Sequence, residues 1–143
     1  MSVSPLVFLG EDNPQDVYLI RMALIEHGID CDLQVSRHGA DMLQRLGKIT
    51  ESYLAPQLII LDLNLPRHDG LEILSYVRAR NDLATIPVVI LTSSDSPKDT
   101  RAAVQSGATE YIRKPSSLPD FLKIGAVFRS LLFQREHKLL YMR

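Results

Sequence analysis

The sequence is poor in cysteine, has no strong excess of either charge, and lacks long apolar runs. The one cysteine, Cys31, excludes an internal disulfide framework and suits a reducing cytoplasm. No window approaches the ~20 apolar residues of a membrane-spanning helix, and the first residues lack the basic start of a signal peptide. The formal net charge of -1 gives no reason to expect nucleic acid or an anionic membrane as the main partner. We therefore expect a cytoplasmic protein.

The composition predicts a single globular domain over residues 1–143. Hydrophobic residues make up 45% of the chain and charged residues 23%, which is ordinary for a soluble domain. A chain of this length can bury roughly two thirds of its unfolded surface. No stretch of the sequence resembles a linker or a repeat array, so we expect one folding unit.

Short apolar runs alternate with segments of helical periodicity. The runs, each a predicted strand, span residues 6–9, 33–36, 58–61, 88–91 and 111–112, and the polar second run suits an edge strand. The first helix is predicted to begin after Asn13 as N-cap, with Pro14 at its first position. Regular alternation of strand and helix favours a parallel sheet with right-handed crossovers and helices on both faces.

The C-terminal segment, residues 118–143, is predicted to form a long helix to about residue 141 with two apolar stripes. One stripe can cover the sheet. The second lies roughly a third of a turn away and consists of Leu122, Ala126, Phe133 and Leu140. A wide core face with scattered exposed apolar residues would also explain the pattern. We favour a surface for a protein partner or a second copy, because exposed stripes commonly mark interfaces.

Polar side chains stand where the predicted strands end. Glu11 and Asp12 follow the first strand, Asp62 the third and Lys114 the fifth, while Thr92 ends the fourth. Doubly wound sheets bind ligands outside these carboxyl ends. Three carboxylates alone would raise one another's pKa, and a hard divalent cation such as Mg²⁺ resolves the conflict because it takes oxygen ligands. The predicted chemistry is phosphoryl transfer to a carboxylate.

This set of residues resembles that of response-regulator receiver domains of two-component signalling. The blocks "LDLNLPRHDG", "IPVVILTSSD" and "SGATEYIRKP" support the resemblance, which covers about residues 5–130. The opening "GEDNPQDVYLIRMAL" further looks like the small single-domain regulators that partner phytochrome-type histidine kinases. The resemblance implies a flavodoxin-like (βα)5 fold, with a doubly wound five-stranded parallel sheet in the order 2-1-3-4-5 and an extended C-terminal helix.

The resemblance also implies a role for each residue of the crevice. Asp62 would be the phosphoacceptor, attacking a phosphohistidine of a sensor histidine kinase. Mg²⁺ would be bound by Asp12, Asp62 and the backbone carbonyl of Asn64, with Glu11 acting through a water. Lys114 would offset charge on the phosphoryl oxygens.

A second group of residues would form the switch. Thr92 would hydrogen-bond a phosphoryl oxygen and move toward it, and Tyr111 would fill the space that Thr92 leaves. Ser93 matches the position that leaves access to the acyl phosphate. Asn64 and Ser94 lie at positions where the family tunes the lifetime of the phosphoryl group. The readout face would comprise the fourth helix, the fifth strand and the fifth helix.

The sequence Lys114-Pro115 resembles a cis peptide of the family, which would aim the lysine inward. The implied function is a phosphorylation-controlled binding switch, not an enzyme acting on a free metabolite. Because the chain ends soon after the fifth helix, we expect no output domain. We expect a homodimer. The alternatives are a phosphorelay intermediate, a phosphate sink, feedback on the kinase and a degenerate scaffold receiver.

Two other classes of protein fit the sequence less well. A phosphohydrolase that uses an aspartyl phosphate typically carries a second acid two places after its nucleophile, where this chain has Asn64. A flavin-binding electron carrier of the same fold needs a Ser/Thr/Gly-rich phosphate loop after the first strand. Gly10, Glu11 and Asp12 occupy that place instead.

Overall fold

The computed structural model describes residues 4–141, apart from the side chains of Ser52 and residues 134–141. Five parallel strands form one sheet in the order β2-β1-β3-β4-β5, which confirms the predicted order. The strands are β1 (Leu6–Gly10), β2 (Asp32–Ser36), β3 (Leu58–Leu61), β4 (Val88–Thr92) and β5 (Glu110–Arg113). Gly10 pairs with Leu61, so the central strands β1 and β3 end level with each other.

Helices cover both faces of this sheet. They are α1 (Pro14–Glu26), α2 (Gly39–Gly47), α3 (Gly70–Ala79), α4 (Pro97–Gln105), α5 (Leu118–Leu122) and α6 (Gly125–Tyr141), with a short 3-10 turn at Ser52–Leu54. The predicted start of α1 is confirmed, since the Asn13 side chain accepts a hydrogen bond from the Gln15 N–H. Within the described part of the chain, no helix combines the length and apolar character required to cross a membrane.

The central strand β3 is buried on both faces, as its four apolar residues predict. Ile59 and Leu61 pack into a cluster with the side chains of α2 and α3. Leu58 and Ile60 point the other way, into a cluster with α1 and α6. The strand therefore has no solvated face, and the first polar side chain that follows it lies at its carboxyl end.

The extended C-terminal helix is confirmed, but it is interrupted between Leu122 and Gly125. There the Ile124 N–H bonds to the Phe121 carbonyl at 3.1 Å, one residue closer along the chain than in an α-helix. The cause is close packing against α1. A Cβ on Gly125 would lie 2.3 Å from the Ala23 carbonyl oxygen, so only glycine permits this approach.

The second apolar stripe is partly covered within the chain itself. Phe133 packs against the core cluster beneath α1, and the Arg129 guanidinium lies 5.3 Å from the centre of its ring. Leu122 is half-buried and Ala126 is exposed, whereas the Leu140 side chain lies outside the described residues. A partner surface on this stripe stays a prediction.

Candidate functional site

Asp62 follows β3 directly and lies at the floor of a crevice between strand ends. Its N–H donates to the Gly10 carbonyl at 3.0 Å, which fixes it beside the end of β1. Its side chain accepts the Asn64 N–H at Oδ1, at 3.0 Å. Only 7% of the residue is exposed. These contacts hold one carboxylate rigidly at the carboxyl edge of the sheet.

Gly70 explains how the chain can turn so tightly around this aspartate. A Cβ on Gly70 would lie 2.6 Å from the carbonyl oxygen of Asp62, so a side chain here would displace the phosphoacceptor candidate. In the preceding loop, Arg67 and His68 take the left-handed φ values of 51° and 78° that non-glycine residues seldom adopt. The loop between β3 and α3 is therefore a strained segment tied to Asp62 by close backbone packing.

Lys114 enters the crevice from the end of β5 and contacts three carboxylates. Its ammonium lies 2.8 Å from Asp62 Oδ2, 2.5 Å from Glu11 Oε1 and 2.8 Å from Asp16 Oδ2. An ammonium has three N–H donors, so every one of them is in use. Asp16 was not among the residues predicted for this site. Its position in the first turn of α1, just after the end of β1, is the sequence feature that indicates it.

The expected cis peptide between Lys114 and Pro115 is wrong for this chain, because the described residues contain no cis peptide bond. The lysine reaches the crevice through strand register instead. Thr92 pairs with Arg113 at the ends of β4 and β5, and the Lys114 N–H donates to the Thr92 carbonyl at 2.7 Å. This pairing places the Lys114 side chain over the strand ends without a cis bond.

The charges of the site perturb one another strongly. Burial alone would raise the pKa of Asp62, but hydrogen bonds from Lys114 and the Asn64 N–H hold it below its ordinary value. Burial raises the pKa of Glu11 to about 7, although the contact with Lys114 opposes this. Burial would lower the pKa of Lys114, yet the three carboxylates raise it. The lysine thus stays charged while Glu11 titrates near neutrality.

Three carboxylates of the crevice form a set that fits a hard divalent cation. Carboxylate oxygens of Glu11, Asp12 and Asp62 lie within 4.8 Å of one another, with Asp12 exposed and the other two buried. Oxygen donors around an opening to solvent suit a cation that keeps several waters. Lys114 supplies a single positive charge against four carboxylates, counting Asp16, so the crevice retains negative charge that a cation would neutralise.

The predicted switch residues meet at one loop residue, Ser94. The Ser94 N–H donates to Thr92 Oγ1 at 3.4 Å, and the Tyr111 hydroxyl donates to the Ser94 carbonyl at 3.1 Å. Thr92 is fully buried, Tyr111 half-buried and Ser93 exposed. The Ser94 hydroxyl donates to Asp99 of α4 at 2.6 Å. The loop after β4 thus connects the crevice to α4 and β5 through hydrogen bonds.

Comparison with known proteins identifies the class to which this fold and site belong. The family model for the response regulator receiver domain matches residues 7–124. The chain therefore belongs to the receiver-domain family of two-component signalling, and the resemblance seen in its sequence is confirmed. Receiver domains are phosphorylated by histidine kinases and bind divalent metal.

The similar proteins include regulators associated with phytochromes. The chain is 36% identical over 122 residues to the response regulator Rcp1 of Synechocystis sp., covering 83% of this chain and 82% of Rcp1. The phosphorylated cyanobacterial phytochrome response regulator RcpA has the same fold, with a TM-score of 0.81 and 31% identity over 92% of this chain and 95% of RcpA. The Mn²⁺-bound form of Rcp1 matches with a TM-score of 0.77 and 34% sequence identity. The match covers 88% of this chain and 92% of Rcp1.

Proposed function

We propose that this protein is a response regulator that accepts a phosphoryl group on Asp62 from a phytochrome-type sensor histidine kinase. The observation that carries the proposal is the buried Asp62 carboxylate held 2.8 Å from Lys114, beside Glu11 and Asp12. The named relatives Rcp1 and RcpA support the choice of kinase class. The protein would act in the cytoplasm as a signalling phosphoacceptor that catalyses only its own phosphorylation and dephosphorylation.

In the transfer step, a carboxylate oxygen of Asp62 attacks the phosphorus of a phosphohistidine. The new O–P bond forms as the N–P bond breaks, and the imidazole leaves with the electron pair and takes up a proton. The depressed pKa of Asp62 keeps the nucleophile ionised at neutral pH. Lys114 stabilises charge on the transferring oxygens, and buried Thr92 offers them a hydroxyl from the end of β4.

We assign Mg²⁺ to the acidic set described above. Asp12, Asp62 and the backbone carbonyl of Asn64 would hold it, with Glu11 acting through a water. Bound there, the ion would neutralise charge on the phosphoryl oxygens and on the carboxylates that face them. The hard oxygen donors favour Mg²⁺ chemically, and the Mn²⁺-bound form of Rcp1 supports a divalent ion.

The output would be protein contact through the face formed by α4, β5 and the C-terminal helices. A phosphoryl group on Asp62 would draw the Thr92 hydroxyl and thereby disturb the hydrogen bonds at Ser94 that tie Tyr111 and α4 to the crevice. Val104 on α4 is 61% exposed and apolar, which suits a contact surface. We propose that this change favours a homodimer or binding to a partner.

Intact-mass measurement after incubation with acetyl phosphate and Mg²⁺ tests the proposal. The wild-type chain should gain one phosphoryl mass, and Asp62→Asn should gain none. Asp69→Asn is the matched control, since this exposed aspartate only caps α3 and asparagine caps equally well. An adduct that survives Asp62→Asn would refute the assignment, and no adduct on the wild-type chain would favour a degenerate scaffold.

Size-exclusion chromatography with multi-angle light scattering, run in Mg²⁺ with and without beryllofluoride as a phosphoryl mimic, then tests the output. A shift to twice the monomer mass supports homodimerisation. If the mass is unchanged, onward transfer of the phosphoryl group to a histidine phosphotransfer domain would identify a phosphorelay intermediate. Loss of the group by hydrolysis alone would identify a phosphate sink.

A further inference from the structure

Asp16 is the Lys114 partner that has no place in the proposed metal set or in the covalent step. Its Oδ2 lies 2.8 Å from the lysine ammonium, and 19% of its side chain is exposed. Glu11 and Asp62 contact the same ammonium but also belong to the acidic set for the cation. Removing Asp16 therefore changes the surroundings of the lysine and leaves the phosphoacceptor and the metal ligands in place.

A favourable interaction with the helix dipole does not explain this geometry. Acids in the first turn are general among the helices of this chain, at Asp16, Asp41, Glu72, Asp99 and Asp120. Asp41 and Glu72 pair with residues four positions away. Asp16 instead bonds to a residue 98 positions away, across the crevice.

The hydrogen-bond count of Lys114 sets up a competition. All three N–H donors of the ammonium are taken by Glu11, Asp16 and Asp62. A phosphoryl group on Asp62 adds strong acceptor oxygens and carries about -2 of charge at neutral pH, in place of the -1 of the free carboxylate. The bond to Asp62 can pass to an oxygen of the phosphoryl group that Asp62 then carries, but a second bond from Lys114 to that group requires the release of Glu11 or Asp16. Asp16 is the most exposed of the three, so water can replace its lost bond at the lowest cost.

We propose that Asp16 is a positioning residue that restrains Lys114 in the unphosphorylated protein and competes with the phosphoryl group for its ammonium. The inference rests on the proposed function, because the competitor is the phosphoryl group on Asp62. Asp16→Asn keeps the shape of the side chain but replaces the ionic contact with Lys114 by a neutral and weaker hydrogen bond, so it should speed phosphorylation.

A thermal-unfolding cycle tests the restraint without any phosphodonor. In metal-free protein, Asp16→Asn should lower Tm in the wild-type background, because Lys114 loses an ionic partner. In a Lys114→Met background the same change should raise Tm, because it then removes a charge that only repels its neighbours. Equal shifts in both backgrounds would overturn the restraint.

The rate of adduct formation with acetyl phosphate and Mg²⁺ tests the competition. We expect Asp16→Asn to react about fivefold faster than wild type, equivalent to about 1 kcal/mol at 1.4 kcal/mol per tenfold. Glu26→Gln, which removes an equal charge from an exposed position on α1, should react at the wild-type rate. The acceleration should vanish in the Lys114→Met background.

The outcomes separate the two proposals. An Asp16→Asn rate at or below that of wild type, or an acceleration that persists without Lys114, overturns the competition while Asp62 remains the phosphoacceptor. No adduct on the wild-type chain overturns the proposed function and the competition together. The thermal cycle still decides the restraint in that case, because it requires no phosphoryl transfer.

Discussion

Replacing Lys114 by methionine removes the cation on which the acidic crevice depends. Methionine keeps an unbranched apolar stem of similar length but has no charge. Glu11, Asp16 and Asp62 would then face one another with no ammonium between them, and each would lose a contact of 2.5 to 2.8 Å. We expect a lower free energy of unfolding in metal-free protein, because buried charges without partners are costly.

The burial of the four groups sets the size of this loss. Removing one partner of a buried ion pair costs about 3–5 kcal/mol. Lys114 is 11% exposed and Asp16 19%, so the site is nearly but not fully dry. Glu11, with a pKa raised to about 7, can also take up a proton and relieve part of the repulsion. We therefore expect the lower end of the range, about 3 kcal/mol at about pH 8.

Urea unfolding of metal-free protein measures the effect. The loss should shrink toward about pH 5, since Glu11 then carries its proton in the folded state and the repulsion weakens. Lys123→Met is the control, because Lys123 pairs with Asp120 at 3.4 Å with both side chains mostly exposed; it should cost less than about 0.5 kcal/mol. A Lys114→Met loss under about 1 kcal/mol, or one equal to the control, would refute the reasoning.

Three further substitutions test the site and its support. Glu11→Gln should raise the Tm of metal-free protein at about pH 8 and leave it unchanged at about pH 5. The reason is that the pKa of Glu11 is raised to about 7, so its ionised form destabilises the folded state above that pH. A Tm of Glu11→Gln below that of wild type at about pH 8 would contradict this. Phe128→Ala should cost about 3–5 kcal/mol in urea unfolding, since the ring is fully buried, whereas Val104→Ala at an exposed position should cost under about 0.5 kcal/mol. Gly125→Ala should destabilise the protein by about 1–3 kcal/mol through its clash with α1. Gly47→Ala is the control and should be neutral or stabilising, because a Cβ there meets no close neighbour at the end of α2. Equal effects of the two substitutions would show that the break before α6 does not depend on glycine.

Much of the fold could be predicted from the sequence because its determinants are local. The run of apolar residues in β3, the N-cap at Asn13 and the alternation of strand and helix each indicate an element without reference to distant residues. Parallel strands then bring their carboxyl ends to one edge of the sheet. This is why Asp62 and Lys114, far apart in the chain, could be placed together before the structure was considered.

Hydrophobic period and strand-end position are properties of short segments. They therefore specify the class of fold, the buried central strand and the set of strand-end residues. The contacts among those residues depend on how distant elements pack against one another. The contact of Asp16 with Lys114 spans 98 positions and depends on the direction in which α1 leaves β1. The register of β4 and β5 brings Lys114 to the crevice, and the break before Gly125 follows from close packing on α1. Such features change when the spacing between two packed elements changes by less than the length of a side chain. No local sequence pattern specifies that spacing.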